Sequence, residues 1–441
     1  MGANRFPEIT NSQIVYERAK DLIPCFSQTM AKGPSQYVQG VAPIYLQKGE
    51  GAYVWDVDGN RFLDYNMAIG PISLGYCFPA VDEAIRKQLS DGITFSLMHP
   101  LEVDVAELIR DTVPNAEAIR FSKGGADVTS AAIRIARAYT GKNKILCCGY
   151  HGWHDWYVST MTRNGGIPKE IQNLTFTFNY NDIESVARSI DEDTAAIILE
   201  PVVFEEPQND FLHKLRELCT EKGILLIFDE MWTGFRISLG GAQEYFGVDA
   251  DMATFSKAVA NGMPISILTG KRKYFHVLEE DVFFFNTFGG EALSLAATKA
   301  TIEYMKINRV PDYLFTMGLM LKNGFNEICQ SIGLSSVIAT GYPYRTIVQF
   351  SEKNGDPLLQ KSLVQQELIR RGILWSGFHT LCYSHSEEDI RYTLDAYREV
   401  LPILKNAIEL NTLRESIEGT PVLPVFRKTG SFNTKPVNSK Q

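Results

Sequence analysis

Ile224-Leu225-Leu226-Ile227-Phe228-Asp229-Glu230 runs from unbroken apolar residues straight into two carboxylates. An apolar run of this length with no alternation reads as a strand buried on both faces, and such strands belong to parallel sheets covered by helices. Ligands of open α/β sheets gather beyond the carboxyl ends of the strands. Asp229 therefore stands where a site is expected, and a carboxylate buried there needs a cationic or hydrogen-bonded partner. Taken alone the feature is common, because many strands end in Asp as a turn or cap residue.

Outward from that strand the same grammar repeats. The sequence predicts strands at Ala116–Phe121, Lys144–Cys148, Thr194–Leu199, Met252–Ser256 and Ile265–Thr269, and helices at Ala80–Leu89, Leu101–Thr112, Asp127–Tyr139 and Phe211–Lys222. Alternating β and α segments imply an α/β fold around a mostly parallel sheet with helices on both faces. The two ends of the chain read differently. A helix is predicted over Ser12–Leu22, then short strands over Ala42–Leu46, Ala52–Val57 and Phe62–Asn66, the last two joined by the turn signal Asp58-Gly59. A long helix from Ala292 to Ile307, with Pro311 marking its end, leads to a strand near Tyr344–Phe350 and to helices over Pro357–Arg371 and Glu387–Glu409. The expected organisation is an arm with part of a small α+β domain (1–75), a large domain (76–325), and the rest of the small domain with a polar tail expected to be extended or disordered at its end (326–441).

The 441 residues exceed one ordinary core, and 45% hydrophobic with 22% charged residues is a globular balance. A net charge of −9 argues against nucleic-acid binding through phosphate contacts, while leaving room for one phosphorylated small molecule. Seven cysteines without CxxC spacing read as free thiols, with Cys147 and Cys148 as small core residues. His151 and His154 have no third ligand nearby, which argues against a metal site. No apolar run approaches a membrane span and the N-terminus does not read as a signal peptide, so the cytoplasm is the expected location.

Several other pieces carry chemistry. Phe255-Ser256-Lys257 ends an apolar strand in a lysine, followed by Asn261-Gly262-Met263-Pro264. A lysine in a partly buried cleft is an amine nucleophile; singly it also reads as a snorkelling surface residue. Ser122-Lys123-Gly124-Gly125-Ala126-Asp127 leads into a helix, where glycines let backbone N–H groups reach an anion favoured by the dipole. A plain strand-to-helix turn has the same composition. In Asn286-Thr287-Phe288-Gly289-Gly290, Thr287 is a phosphate donor or an N-cap. Tyr150 offers a ring to a planar cofactor or to an interface. Glu200 bonds near such a cofactor or fixes its turn.

In this order the pieces resemble the class III aminotransferases, of pyridoxal phosphate (PLP) fold type I, and in particular the glutamate-1-semialdehyde 2,1-aminomutase branch. The likeness is carried by Gly51-Ala52-Tyr53-Val54-Trp55-Asp56-Val57-Asp58-Gly59-Asn60-Arg61, by Ala131 through Gly141, by Leu226 through Arg236, and by Ser256-Lys257 through Pro264. Lys257 follows Asp229 by 28 residues, a family-sized gap, and the resemblance spans roughly residues 33–405. It implies a large domain with a seven-stranded sheet and PLP as cofactor. Lys257 would be the Schiff-base lysine and Asp229 the partner of the pyridine nitrogen. Met231 and Tyr150 would pack on the two ring faces, with Glu200 nearby. Gly124, Gly125 and Ala126 would hold the phosphate through backbone N–H groups, and Thr287 would reach the phosphate of a neighbouring subunit, implying a homodimer with shared active sites.

Three departures bear on the substrate. Gly124-Gly125-Ala126 replaces the family's Ser-Gly-Thr, removing a hydroxyl donor. Pro34-Ser35-Gln36-Tyr37-Val38 offers no counterpart to the branch's substrate-binding arginine, and Phe204-Glu205-Glu206-Pro207 replaces a Gly/Asn-rich loop. The lost cation and added acids argue against glutamate-1-semialdehyde. They point to a transaminase that takes an amino group from a donor, glutamate foremost, to a carbonyl acceptor such as a sugar or another polyhydroxylated metabolite. The rival readings are an intramolecular aminomutase and a catalytically silent homologue. A nucleotide-binding enzyme is disfavoured by the absence of GxGxxG after a first strand and of GxxxxGK[ST].

Overall fold

The computed structural model describes residues 5–202 and 204–424. They fall into two compact units, one built from the residues up to Phe78 and from Asp312 onward, the other from Pro79–Pro311.

The second unit is built on a seven-stranded sheet. In spatial order its strands are Ala118–Ser122, Ser266–Gly270, Met252–Phe255, Leu225–Asp229, Thr194–Leu199, Lys144–Cys148 and Thr175–Thr177. Ser266–Gly270 pairs antiparallel with both neighbours and the remaining pairs are parallel. Thr194–Leu199, Leu225–Asp229 and Met252–Phe255 are buried at every position, as runs without alternation require. The helix Gly125–Thr140 lies on this sheet, burying Val128, Ala131, Ala132, Ile133, Ile135 and Ala136. It stops at Gly141, whose φ of +67° makes the left-handed cap that glycine tolerates. Cys147 and Cys148 are buried, and all seven cysteines are free thiols.

The sequence missed the short strand Thr175–Thr177 and the helix Ile183–Ser189. Pro311 does not close the region's helical run. Ala292–Ile307 ends where expected, but Pro311 sits in the first turn of another helix, Val310–Ser331, where its missing N–H costs nothing.

In the first unit, Leu46–Glu50, Tyr53–Asp56, Arg61–Asp64 and Ile373–Leu374 form one sheet, and Val337–Thr340, Arg345–Phe350 and Phe378–Thr380 form another. The Asp58-Gly59 turn has a second task. The Asp58 carboxylate accepts from the Asn11 and Ser12 N–H groups, at 2.6 and 2.9 Å, and so caps the helix Thr10–Ala19. The early part of the polar tail is packed: Val422 is buried and the Leu423 N–H donates to Ser35 at 2.8 Å. The end of the tail, residues 425–441, lies outside the described residues. Among the described residues no helix is long and apolar enough to cross a membrane.

The same unit buries two histidines. His379 lies between the Thr346 and Tyr397 hydroxyls at 2.8 and 2.7 Å, and His385 Nδ1 accepts from the Cys382 N–H at 3.1 Å. Burial pushes their imidazoles down to about 3 and about 4. Both are neutral when folded, whereas the unfolded chain protonates them below about 6.5. For these two groups the unfolded state then binds more protons, so their contribution to stability falls as pH drops from 6.5 toward 4 and is untouched above 6.5. At pH 5 the loss is about 2 kcal/mol per histidine. Other buried groups such as Glu230, raised to about 7, act in the opposite sense, so the effect is read as a difference: between pH 7 and pH 5 the wild type is expected to lose about 2 kcal/mol more in urea unfolding than His379→Gln. Parallel slopes for wild type and variant would exclude His379 as a source.

Candidate active site

Five parallel strands deliver the expected site residues at their carboxyl ends. Gly124 and Gly125 follow Ala118–Ser122, Tyr150 follows Lys144–Cys148, Glu200 follows Thr194–Leu199, Asp229 ends Leu225–Asp229, and Lys257 follows Met252–Phe255. The last four of these strands are adjacent in the sheet, so the parallel register alone gathers groups that are more than a hundred residues apart in the chain.

Asp229 is buried, 1% exposed, and each of its carboxylate oxygens has one partner. Oδ1 accepts from the Met231 N–H at 3.1 Å, and Oδ2 faces His151 Nδ1 at 2.8 Å. His151 is also buried, and its Nε2 meets the Cys148 carbonyl at 3.1 Å. A carbonyl only accepts, so Nε2 must donate. The Nδ1–Oδ2 contact then needs a proton of its own, which lies between the two groups. Sequence reasoning weighed His151 only as a metal ligand. The signal that finds it is the strand order, because Lys144–Cys148 and Leu225–Asp229 flank Thr194–Leu199.

Glu200 lies beside this pair. Its Oε1 accepts from the Tyr150 N–H at 2.8 Å, and a Cβ on Gly149 would come within 2.8 Å of the same oxygen. Burial, and then the charge of Asp229, raise the Glu200 carboxyl above its ordinary range; His151 and Lys257 act in the opposite sense. Burial followed by the charges of Asp229 and Glu200 raises the Tyr150 phenol. The cluster therefore joins two carboxylates, an imidazole, a phenol and an amine.

The phosphate loop is tightly packed. A Cβ on Gly125 would meet Met231 Sδ at 3.1 Å, and one on Gly152 would meet Ala126 Cβ at 2.6 Å, so Met231 and Gly152 close over this turn. The Gly124 N–H is already bonded to Asp127 Oδ2 at 2.8 Å, which also takes the Ser122 hydroxyl at 2.7 Å. That leaves the first-turn N–H groups of Gly125 and Ala126, which have no intrahelical partner, for an anion. Thr287 stands exposed on its loop. Its neighbour Asn286 donates to Ser122 at 3.2 Å.

Lys257 has φ +50°, a left-handed conformation rare for a side-chain-bearing residue and favoured only where the surroundings impose it. Ser256 anchors the turn, its hydroxyl donating to the Ile265 carbonyl at 2.5 Å.

The profile of the family described as Aminotransferase class-III matches residues 36–379. The chain belongs to the class III aminotransferases. A 3-aminobutyryl-CoA aminotransferase of Cloacimonas acidaminovorans is 36% identical over 91% of this chain and 99% of its own length. A glutamate-1-semialdehyde 2,1-aminomutase of Thermus thermophilus is also 36% identical, over 82% of this chain and 92% of its own. Among solved structures, the FumI protein of Sphingopyxis sp. MTA144 in its PLP internal aldimine form superposes with a TM-score of 0.85 at 27% identity, covering 91% and 98% of the two chains. This class III aminotransferase is thus an enzyme of a PLP-dependent family, with the mixed seven-stranded sheet of PLP fold type I. The residues present fit that cofactor: they combine a buried carboxylate for a ring nitrogen, first-turn helix N–H groups for a phosphate, and an amine for an aldehyde.

Proposed function

We propose that this aminotransferase moves an amino group from glutamate to the carbonyl carbon of a second molecule, with Lys257 as the acid and base. The observation that carries this reading is the placement of Lys257, Glu200 and the His151–Asp229 pair at the carboxyl edge of neighbouring strands. Bound there, PLP supplies an electron sink for the carbon that bears the amino group. Asp229, oriented by the Met231 N–H and by His151, would keep the ring nitrogen protonated. Gly125 and Ala126 would bind the phosphate, and Met231 and Tyr150 would flank the ring. Lys257 Nζ would take the proton from the substrate carbon and return it to the other end of the same system.

Two observations bear on the acceptor. The likeness to the 3-aminobutyryl-CoA aminotransferase runs over nearly all of both chains and favours an acyl thioester with its carbonyl at carbon 3. The acids Glu205 and Glu206, with no arginine in Pro34–Val38, favour a polyhydroxylated acceptor over glutamate-1-semialdehyde. Exposed Phe283, Phe285 and Phe288 surround Thr287, an apolar face of the kind a homodimer would cover, and sedimentation of the full chain decides its mass.

The test is the visible spectrum of the protein with PLP, beside Lys257→Ala, before and after glutamate. A Lys257-dependent band that glutamate bleaches is the expected result, and each acceptor class is then scored by its power to restore the band. A band indifferent to glutamate but altered by glutamate-1-semialdehyde would replace this reading with the aminomutase. Absence of any Lys257-dependent band would favour the silent homologue.

A further inference from the structure

Trp232 follows Met231 in the turn beyond Leu225–Asp229, and both Trp232 and Lys257 are only partly buried. The Lys257 ammonium lies over the indole, 4.2 Å from the ring centroid. Arg236, 1% exposed, also packs on that ring at 5.4 Å and donates from Nη1 to the Trp232 carbonyl at 3.4 Å. The indole is thus tied to its own turn by a permanently charged residue and meets the amine with its π face.

A lysine that is alternately bonded to a cofactor and released needs a resting place when released. It must be near enough to move a proton and definite enough not to wander into solvent. Indole is the aromatic face that attracts an ammonium most strongly. We propose that Trp232 is a positioning residue whose ring is the platform for the released Lys257 ammonium. This rests on the reading of Lys257 as the cofactor lysine.

Charged groups of both signs surround that ammonium. Glu200 senses its charge, and Asp229 and His151 lie beside Glu200. Tyr150 faces both carboxylates, and Arg236 shares the indole. Trp232 is the only one of these without a charge or titratable group, so its removal leaves the others in place. The ring favours the charged amine over the neutral one. Without it the ammonium gives up its proton about tenfold more readily, about one pH unit lower.

The experiment labels the cofactor-free, full-length chain with an amine-directed acylating reagent across pH, and reads the Lys257 peptide by mass spectrometry. In Trp232→Leu the labelling midpoint is expected to fall by about one pH unit, while Trp232→Phe keeps most of the wild-type value. Trp232→Met serves as a second apolar replacement if the leucine variant does not fold. An unmoved midpoint in the leucine or methionine variant would overturn the platform, as would equal shifts for all replacements, which would signal altered packing. Borohydride reduction of the wild type with PLP separates the two ideas. A cofactor adduct on Lys257 with an unmoved midpoint removes only the platform, whereas no adduct on Lys257 removes the underlying reading as well.

Discussion

Lys257→Ala is expected to lower turnover by about 10²–10⁴-fold, the usual worth of a positioned acid–base group, with the loss falling on kcat. Lys257 is the amine whose charge acts on Glu200, and alanine leaves that position without one. The fold should survive. Alanine also bears a Cβ and inherits the φ of +50° without relief, and the buried strand before it, Met252–Phe255, is untouched. Steady-state rates with the donor and acceptor found by the spectral screen, together with a thermal melt, decide the matter. A folded variant that keeps a tenth of the activity would show that Lys257 is not the proton carrier.

Asp229→Asn should cost turnover about 10²–10³-fold, the loss typical when a preorganised electrostatic partner is removed. The substitution preserves shape. Asparagine's carbonyl oxygen can still accept from the Met231 N–H, and its amide can donate to His151 Nδ1 once that imidazole is neutral, with Nε2 still bonded to Cys148. What disappears is the negative charge and the proton shared with His151. The melting temperature should therefore move little while kcat falls. Asp229→Ala should also destabilise, because it leaves a buried imidazole nitrogen without its partner. Equal activity for Asp229→Asn and wild type would separate this carboxylate from the chemistry.

Much of this was legible before any coordinates. Runs such as Thr194–Leu199 and Leu225–Phe228 declare buried strands, and the groups that end them stand where parallel sheets bind ligands. The edge strand Thr175–Thr177 did not declare itself, since Thr-Phe-Thr is too short and mixed to differ from a turn. The antiparallel sense of Ser266–Gly270 is invisible locally, because direction is decided by distant partners. Pro311 misled because a proline signals both the end of one helix and the first turn of the next. The His151–Asp229 bond spans 78 residues and needs the strand order to be seen. The capture of the Gly124 N–H by Asp127 needed geometry, since glycines before a helix only announce that N–H groups are near.

The strand order carries a kinetic meaning as well. Cys148, Leu199, Asp229 and Phe255 come from successive strands joined by long crossovers, and parallel pairings of that separation form slowly because loop closure precedes any reward. No fragment that ends before residue 257 holds the imidazole, both carboxylates and the amine together, so a nascent chain acquires the last of them only after residue 257 has been synthesised. Cofactor capture should therefore be a late event in folding, coincident with completion of the sheet. The ability to hold PLP then reports on the integrity of the whole unit rather than on the chemistry of one cleft.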